Sequence, residues 1–105
     1  MADVAFVVKT PLGFIVRCTR AYWNFILTEK PPVLAGQEEA VRTALADPDQ
    51  VRRSKQDENV YLSYRGVRPR WICAVVRRED GTGFLITAYP TDTIKIGETV
   101  WTRSK

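Results

Sequence analysis

The chain has 105 residues, of which 45% are hydrophobic and 27% charged, with a formal net charge of +4. That size and balance fit one domain over residues 1–105, long enough to bury a core without staples, and exclude a disordered chain. No apolar run approaches the roughly 20 residues that span a bilayer, and the start, with Asp3 and a brief apolar run to Val8, is not that of a signal peptide. A cytoplasmic protein with no membrane partner is expected.

Residues 5–9 and 14–18 read as two strands rich in Val, Ile and Phe. Pro11, Leu12 and Gly13 between them form a turn, which makes an N-terminal hairpin. Thr19 is placed to cap a helix over residues 20–29, whose surface is unusually apolar through Tyr22, Trp23, Phe25, Ile26 and Leu27. Pro31 and Pro32 end it. A second helix over 37–47 carries Glu38 and Glu39 in its first turn, and Val41, Ala44 and Leu45 at helical spacing. Pro48 terminates it. Four strands follow. Residues 50–55 are polar and suit an edge, 60–65 come after an Asp57-Glu58-Asn59 turn, and 71–78 form the longest apolar run and suit the sheet centre. Residues 83–89 are the last strand, which Pro90 is expected to stop. The tail, with Ile94, Ile96, Val100 and Trp101, folds back as an extended segment. The expected fold class is α+β: an N-terminal hairpin, two helices, then a four-stranded, mainly antiparallel sheet.

The chain contains no histidine. Proton transfer must therefore proceed without the usual carrier at neutral pH. Cys18 and Cys73 are far apart and form no CxxC pair, so they read as buried free thiols, with a disulfide as the alternative. Neither a metal site nor a cofactor is expected. Arg65, Arg68, Arg70, Arg77 and Arg78 fall in one short stretch just after Arg52, Arg53 and Lys55. Such clustering reads either as an anion-facing surface or as charged strand edges that discourage edge-to-edge pairing.

Side chains alternate along a strand. Phe84, Ile86 and Ala88 then share one face, and Leu85, Thr87 and Tyr89 the other. Val60, Leu62 and Tyr64 likewise oppose Tyr61, Ser63 and Arg65. The greasier faces are expected beneath the helices. The remaining faces would then carry Tyr61, Ser63, Arg65, Thr87 and Tyr89, joined by Arg53 if the register permits. Aromatics interleaved with arginine suit RNA, because bases stack on rings while guanidinium groups hold phosphates. The same tyrosines also read as cross-strand packing partners with wet hydroxyls.

Four segments in this order carry a resemblance. They are Thr19-Arg20-Ala21-Tyr22-Trp23 with Lys30-Pro31-Pro32; Val41 to Val51 with the Leu45-Ala46-Asp47-Pro48-Asp49 turn; Arg53-Ser54 with Val60-Tyr61-Leu62-Ser63-Tyr64-Arg65; and residues 84–92 with Lys95. Over about residues 14–101 the chain resembles small bacterial and phage proteins of the barnase–EndoU–colicin–RelE-like nuclease superfamily. The resemblance implies two N-terminal helices before a four-stranded antiparallel sheet. It also implies a metal-independent ribonuclease of toxin type, cleaving RNA by attack of the ribose 2′-hydroxyl, with an antitoxin as protein partner. Lys30, Arg53 and Tyr89 would be catalytic, and Tyr61, Arg65 and Thr87 would bind RNA. Arg53 and Arg65 would hold phosphate while Tyr89 or Lys30 moved the proton. Tyr and Lys ordinarily titrate near pH 10 or above, so either would need a depressed pKa. Such proteins commonly carry histidine where this chain has Pro31. The alternative is a catalytically inactive relative that acts as an RNA-binding or protein-interaction module.

Overall fold

The computed structural model describes residues 3–29, 36–67, 70–95 and 97–103. The hairpin forms as expected, with β1 (Val4–Lys9) antiparallel to β2 (Ile15–Thr19). Thr19 Oγ1 accepts the Tyr22 amide at 3.1 Å and so caps α1 (Arg20–Glu29). In α2 (Glu38–Ala46) the first-turn carboxylates meet the positive end of the helix dipole. Glu38 also holds Arg20 at 2.8 Å, which ties the starts of the two helices together.

Five strands complete the chain: β3 (Gln50–Arg53), β4 (Val60–Val67), β5 (Arg70–Glu79), β6 (Thr82–Thr91) and β7 (Glu98–Thr102). All seven form one sheet in the order β1-β2-β6-β5-β4-β3-β7, so the apolar β5 is central, as its composition requires. The expectation of a four-stranded, mainly antiparallel sheet is corrected on two counts. The N-terminal hairpin is part of the same sheet, because β2 pairs in parallel with β6, from Ile15 opposite Thr82 to Arg17 opposite Phe84. The tail is a true strand, β7, antiparallel to β3. β3 is therefore an inner strand and not the expected edge. The sheet also departs from the four-stranded frame that the nuclease resemblance implies.

Close approaches explain both additions. A Cβ at Gly83 would lie 2.9 Å from the Phe14 ring, so only glycine lets the end of the hairpin settle on β6. A Cβ at Gly97 would lie 2.5 Å from the Arg53 carbonyl, so glycine likewise lets the chain enter β7 alongside β3. Pro90 does not stop β6, which runs on to Thr91 with Pro90 opposite Ile72. The pairing of β2 with β6 ends at Phe84, so the far edge of β6 makes no ladder there that needs an amide proton.

Both helices cover one face of the sheet, α2 over β1, β4 and β5 and α1 over β1 and β2. Phe6, Trp23, Val41, Leu45, Val76 and Leu85 are among the buried residues between. The opposite face, called here the open face, carries a smaller cluster of Leu62, Tyr64 and Cys73 flanked by Trp71, Val75, Tyr89 and Ile94, with no helix residue among them.

The expected assignment of faces is corrected as well. On β4 it is Tyr61 and Ser63 that turn under the helices, at 6% and 2% exposure, while Leu62 and Tyr64 join the open face. Tyr61 packs its ring against Phe14, with centroids 5.8 Å apart. Ser63 lies in a row of small residues opposite Ala74, which in turn faces Ala88. On β6 a bulge breaks the alternation. Pairing jumps from Leu85 opposite Val76 to Thr87 opposite Val75, which leaves Ile86 as the extra residue. Leu85 and Ala88 are thereby both buried in the helix-side core, while Phe84, Thr87 and Tyr89 share the open face.

Candidate functional site

The residues nominated from sequence divide between the two faces. Arg53, Tyr61 and Arg65 follow the helix-side register. The Arg53 guanidinium lies 5.6 Å from the Tyr61 ring centre, donates to the Tyr61 hydroxyl at 3.4 Å and pairs with Glu98 at 3.5 Å. Arg65 donates to the Asp47 carbonyl at 2.7 Å and to its carboxylate at 3.0 Å. Thr87 and Tyr89 lie on the other side of the sheet, so the six candidates do not form one constellation. Lys30 and Pro31 lie outside the described residues.

The arginine run is largely engaged within the chain. Arg70 pairs with Asp92 at 3.2 Å, and Arg77 pairs with Asp57 and Glu79. These contacts neutralise much of the cluster within the chain, and because β3, β4 and β5 are inner strands its arginines do not guard a sheet edge. Arg52 and Arg78 bond only neutral oxygens, and Lys55, Lys95 and Arg17 are likewise in no ion pair among the described residues.

Lys55 and Lys95 stand at one cleft of about 400 Å³ on the open face. Its floor is Leu62 and Val75, and Ser54, Thr87 and Tyr89 supply hydroxyls and a ring. No acidic residue lines it. The Lys95 ammonium sits 5.7 Å from the centre of the Tyr89 ring. The segment that carries Lys95 is held in place from below, because the Tyr64 hydroxyl accepts the Lys95 backbone amide at 3.0 Å.

Beneath the cleft the Cys73 thiol lies between the Tyr64 and Tyr89 hydroxyls. Burial pushes the thiol up to about 11 and the Tyr64 phenol up to about 12. Burial also lifts the Tyr89 phenol, well above the ordinary tyrosine range. This is the reverse of the depressed pKa that proton transfer by Tyr89 near neutrality would need. Cys18 and Cys73 are both free and buried. Among the described residues no group of three or more Cys, Asp or Glu side chains is arranged to hold a metal ion.

Sequence reasoning placed Lys55 in a charged run and Lys95 at the end of a resembling segment, but nominated neither as a site residue. Their meeting depends on how the segment after β6 returns to Tyr64, and no local pattern encodes that.

The chain matches no protein-family model, no curated protein and no solved structure. Among the described residues no helix is long and apolar enough to cross a membrane.

Proposed function

We propose that this chain binds single-stranded RNA in the cleft on the open sheet face and holds it without cleaving it. The observation that supports this best is the cleft itself: Lys55 and Lys95, engaged in no described ion pair, beside the Tyr89 ring, with no carboxylate in the lining. The ammonium groups neutralise phosphates and release counterions, while a ring accepts an unpaired base. A base that takes the place of the Lys95 ammonium over Tyr89 leaves that ammonium at the neighbouring phosphate. Ser54 and Thr87 offer hydroxyls to the sugar.

Cleavage by the ribose 2′-hydroxyl requires a group that takes its proton. The chain has no histidine, and burial keeps the Tyr89 proton in place. Arg53, to which the resemblance gives the phosphate, faces the other side of the sheet and is engaged by Glu98 and Tyr61. Binding without cleavage accounts for all three observations.

The test is fluorescence anisotropy of a labelled mixed-sequence RNA in EDTA, for the native chain and for Lys55→Gln/Lys95→Gln. The native chain binds and leaves the RNA intact. The double variant binds at least about tenfold more weakly, and its salt slope is flatter by roughly 1 to 2, as expected when two phosphate contacts to a single strand are lost. Absence of native binding, or equal binding by the variant, contradicts the proposal. Release of 2′,3′-cyclic phosphate ends by the native chain, lost in Tyr89→Phe, would restore the ribonuclease reading.

A further inference from the structure

Phe84 is 43% exposed on the open face, an unusual position for a phenylalanine in the middle of a sheet. Its cross-strand neighbours are both arginines: Arg77 opposite it on β5 and Arg17 opposite it on β2. The same row continues to Val60 on one side and Val7 on the other. Val60 also lines the Lys55–Lys95 cleft. The next row, Leu62, Val75 and Thr87, is part of that cleft. Around Phe84, Val7, Ile15 and Arg17 border a second hollow of about 520 Å³, whose one acidic lining residue, Glu79, is paired with Arg77. The two hollows are thus connected through adjacent rows of one face.

From this we infer that Phe84 is a second base-stacking platform and that the RNA crosses the sheet from the Lys95–Tyr89 cleft to the hairpin. The inference rests on the proposed RNA-binding function and extends it to the length and path of the strand. An exposed ring between two guanidinium groups is what a single strand needs, a face for a base with cations for the phosphates on each side. Of the two, Arg77 is held by Asp57 and Glu79, so it shapes the platform. Arg17 is exposed and in no described ion pair, so it takes the phosphate. Phe84 and Tyr89 stand opposite Arg77 and Cys73, four residues apart on β5 because the Ile86 bulge lies between them, on the order of 13 Å at about 3.3 Å per residue, so one nucleotide cannot occupy both. A duplex is excluded as the ligand because its bases have no open faces to stack.

The test measures the affinity of a dodecanucleotide RNA for the native chain, Phe84→Ala, Phe84→Leu, Phe84→Trp, Arg17→Gln and the Lys55→Gln/Lys95→Gln variant. A thermal melt of each variant confirms folding. Phe84→Ala and Phe84→Leu weaken binding roughly five- to a hundredfold, the effect of losing one base–ring stack, and Phe84→Trp restores it. Arg17→Gln flattens the salt slope by about 0.7. Normal binding by Phe84→Ala while the lysine variant fails removes the platform and leaves the cleft. The opposite pattern removes the cleft and leaves the platform. No binding by the native chain overturns both. If Phe84→Leu binds as well as the native chain, the side chain serves only as apolar cover, and the stacking role is overturned. A native dimer that Phe84→Ala converts to monomer assigns the face to a second copy and also overturns the inference.

Discussion

Tyr89 presents its ring to the cleft and its hydroxyl to the buried thiol of Cys73, and the two ends have different consequences. The ring packs against the open-face cluster and has the Lys95 ammonium 5.7 Å from its centre. The hydroxyl, with that of Tyr64, sits where a phenolate is poorly solvated, and burial is the largest cause of both upward shifts. The sign of the pH effect follows. Where the unfolded chain has lost these protons and the folded chain has kept them, rising pH favours unfolding. The phenols' contribution is therefore fully present below the ordinary tyrosine value near 10 and is lost as pH rises from there through about 12. Cys73, pushed up to about 11, adds to the loss in the same direction. An alkaline titration followed by tyrosinate absorbance checks this. The native chain shows late-ionising phenols that the urea-unfolded chain lacks, and Tyr64→Phe and Tyr89→Phe each remove one of them. Ionisation of both phenols at the unfolded value would show that they are solvated, and would reopen proton transfer by Tyr89.

Elements whose signals are local were legible in the sequence. The Thr19 cap, the acidic first turn of α2 and the apolar run of β5 each depend on neighbours a few residues away, and each is found where the sequence puts it. What was not legible depends on distant pairing. The bulge at Ile86 shifts the phase of β6, the seating of Phe14 on Gly83 brings β2 to β6, and the fit of Gly97 against Arg53 admits β7. These three features move the candidate residues between faces. The turn from α2 into β3 shows how such distant contacts are held. Asp49 accepts the Gly66 amide at 2.6 Å and the Arg103 guanidinium at 3.2 Å, so one carboxylate joins β4 and the end of β7 to this turn. The Gly66 amide is the main cause that holds the Asp49 carboxyl below its ordinary value, with Arg103 and Arg65 adding to it. Its contribution is present above the ordinary carboxylate range and is lost as pH falls below about 4. Asp49→Asn should cost about 1–2 kcal/mol near neutrality, chiefly in lost hydrogen bonds, since solvent screens the ion pair. Urea unfolding at neutral and acid pH checks this, with the gap between native chain and variant narrowing in acid. A gap that stays constant would mean that Asp49 acts only through its shape.

On the scale of the whole molecule, the two helices lie against one face of the sheet, and the other face carries the exposed Phe84 ring, the half-buried Tyr89 ring and cations. The candidate residues read from sequence mixed the two. Arg53, Tyr61 and Arg65 belong to the structural side, where their partners are Glu98, Phe14 and Asp47. Thr87 and Tyr89 belong to the open side with Lys55 and Lys95. The central claim is that RNA is held on the open face. The most direct measurement is a titration of the isotope-labelled chain with a single-stranded RNA, followed by backbone amide and aromatic resonances. The account predicts shifts concentrated at Lys55, Leu62, Thr87, Tyr89 and Lys95, extending to Phe84 and Arg17 with a longer strand. Shifts centred on Arg53, Tyr61 and Arg65, or a spectrum unchanged at saturating RNA, would contradict it.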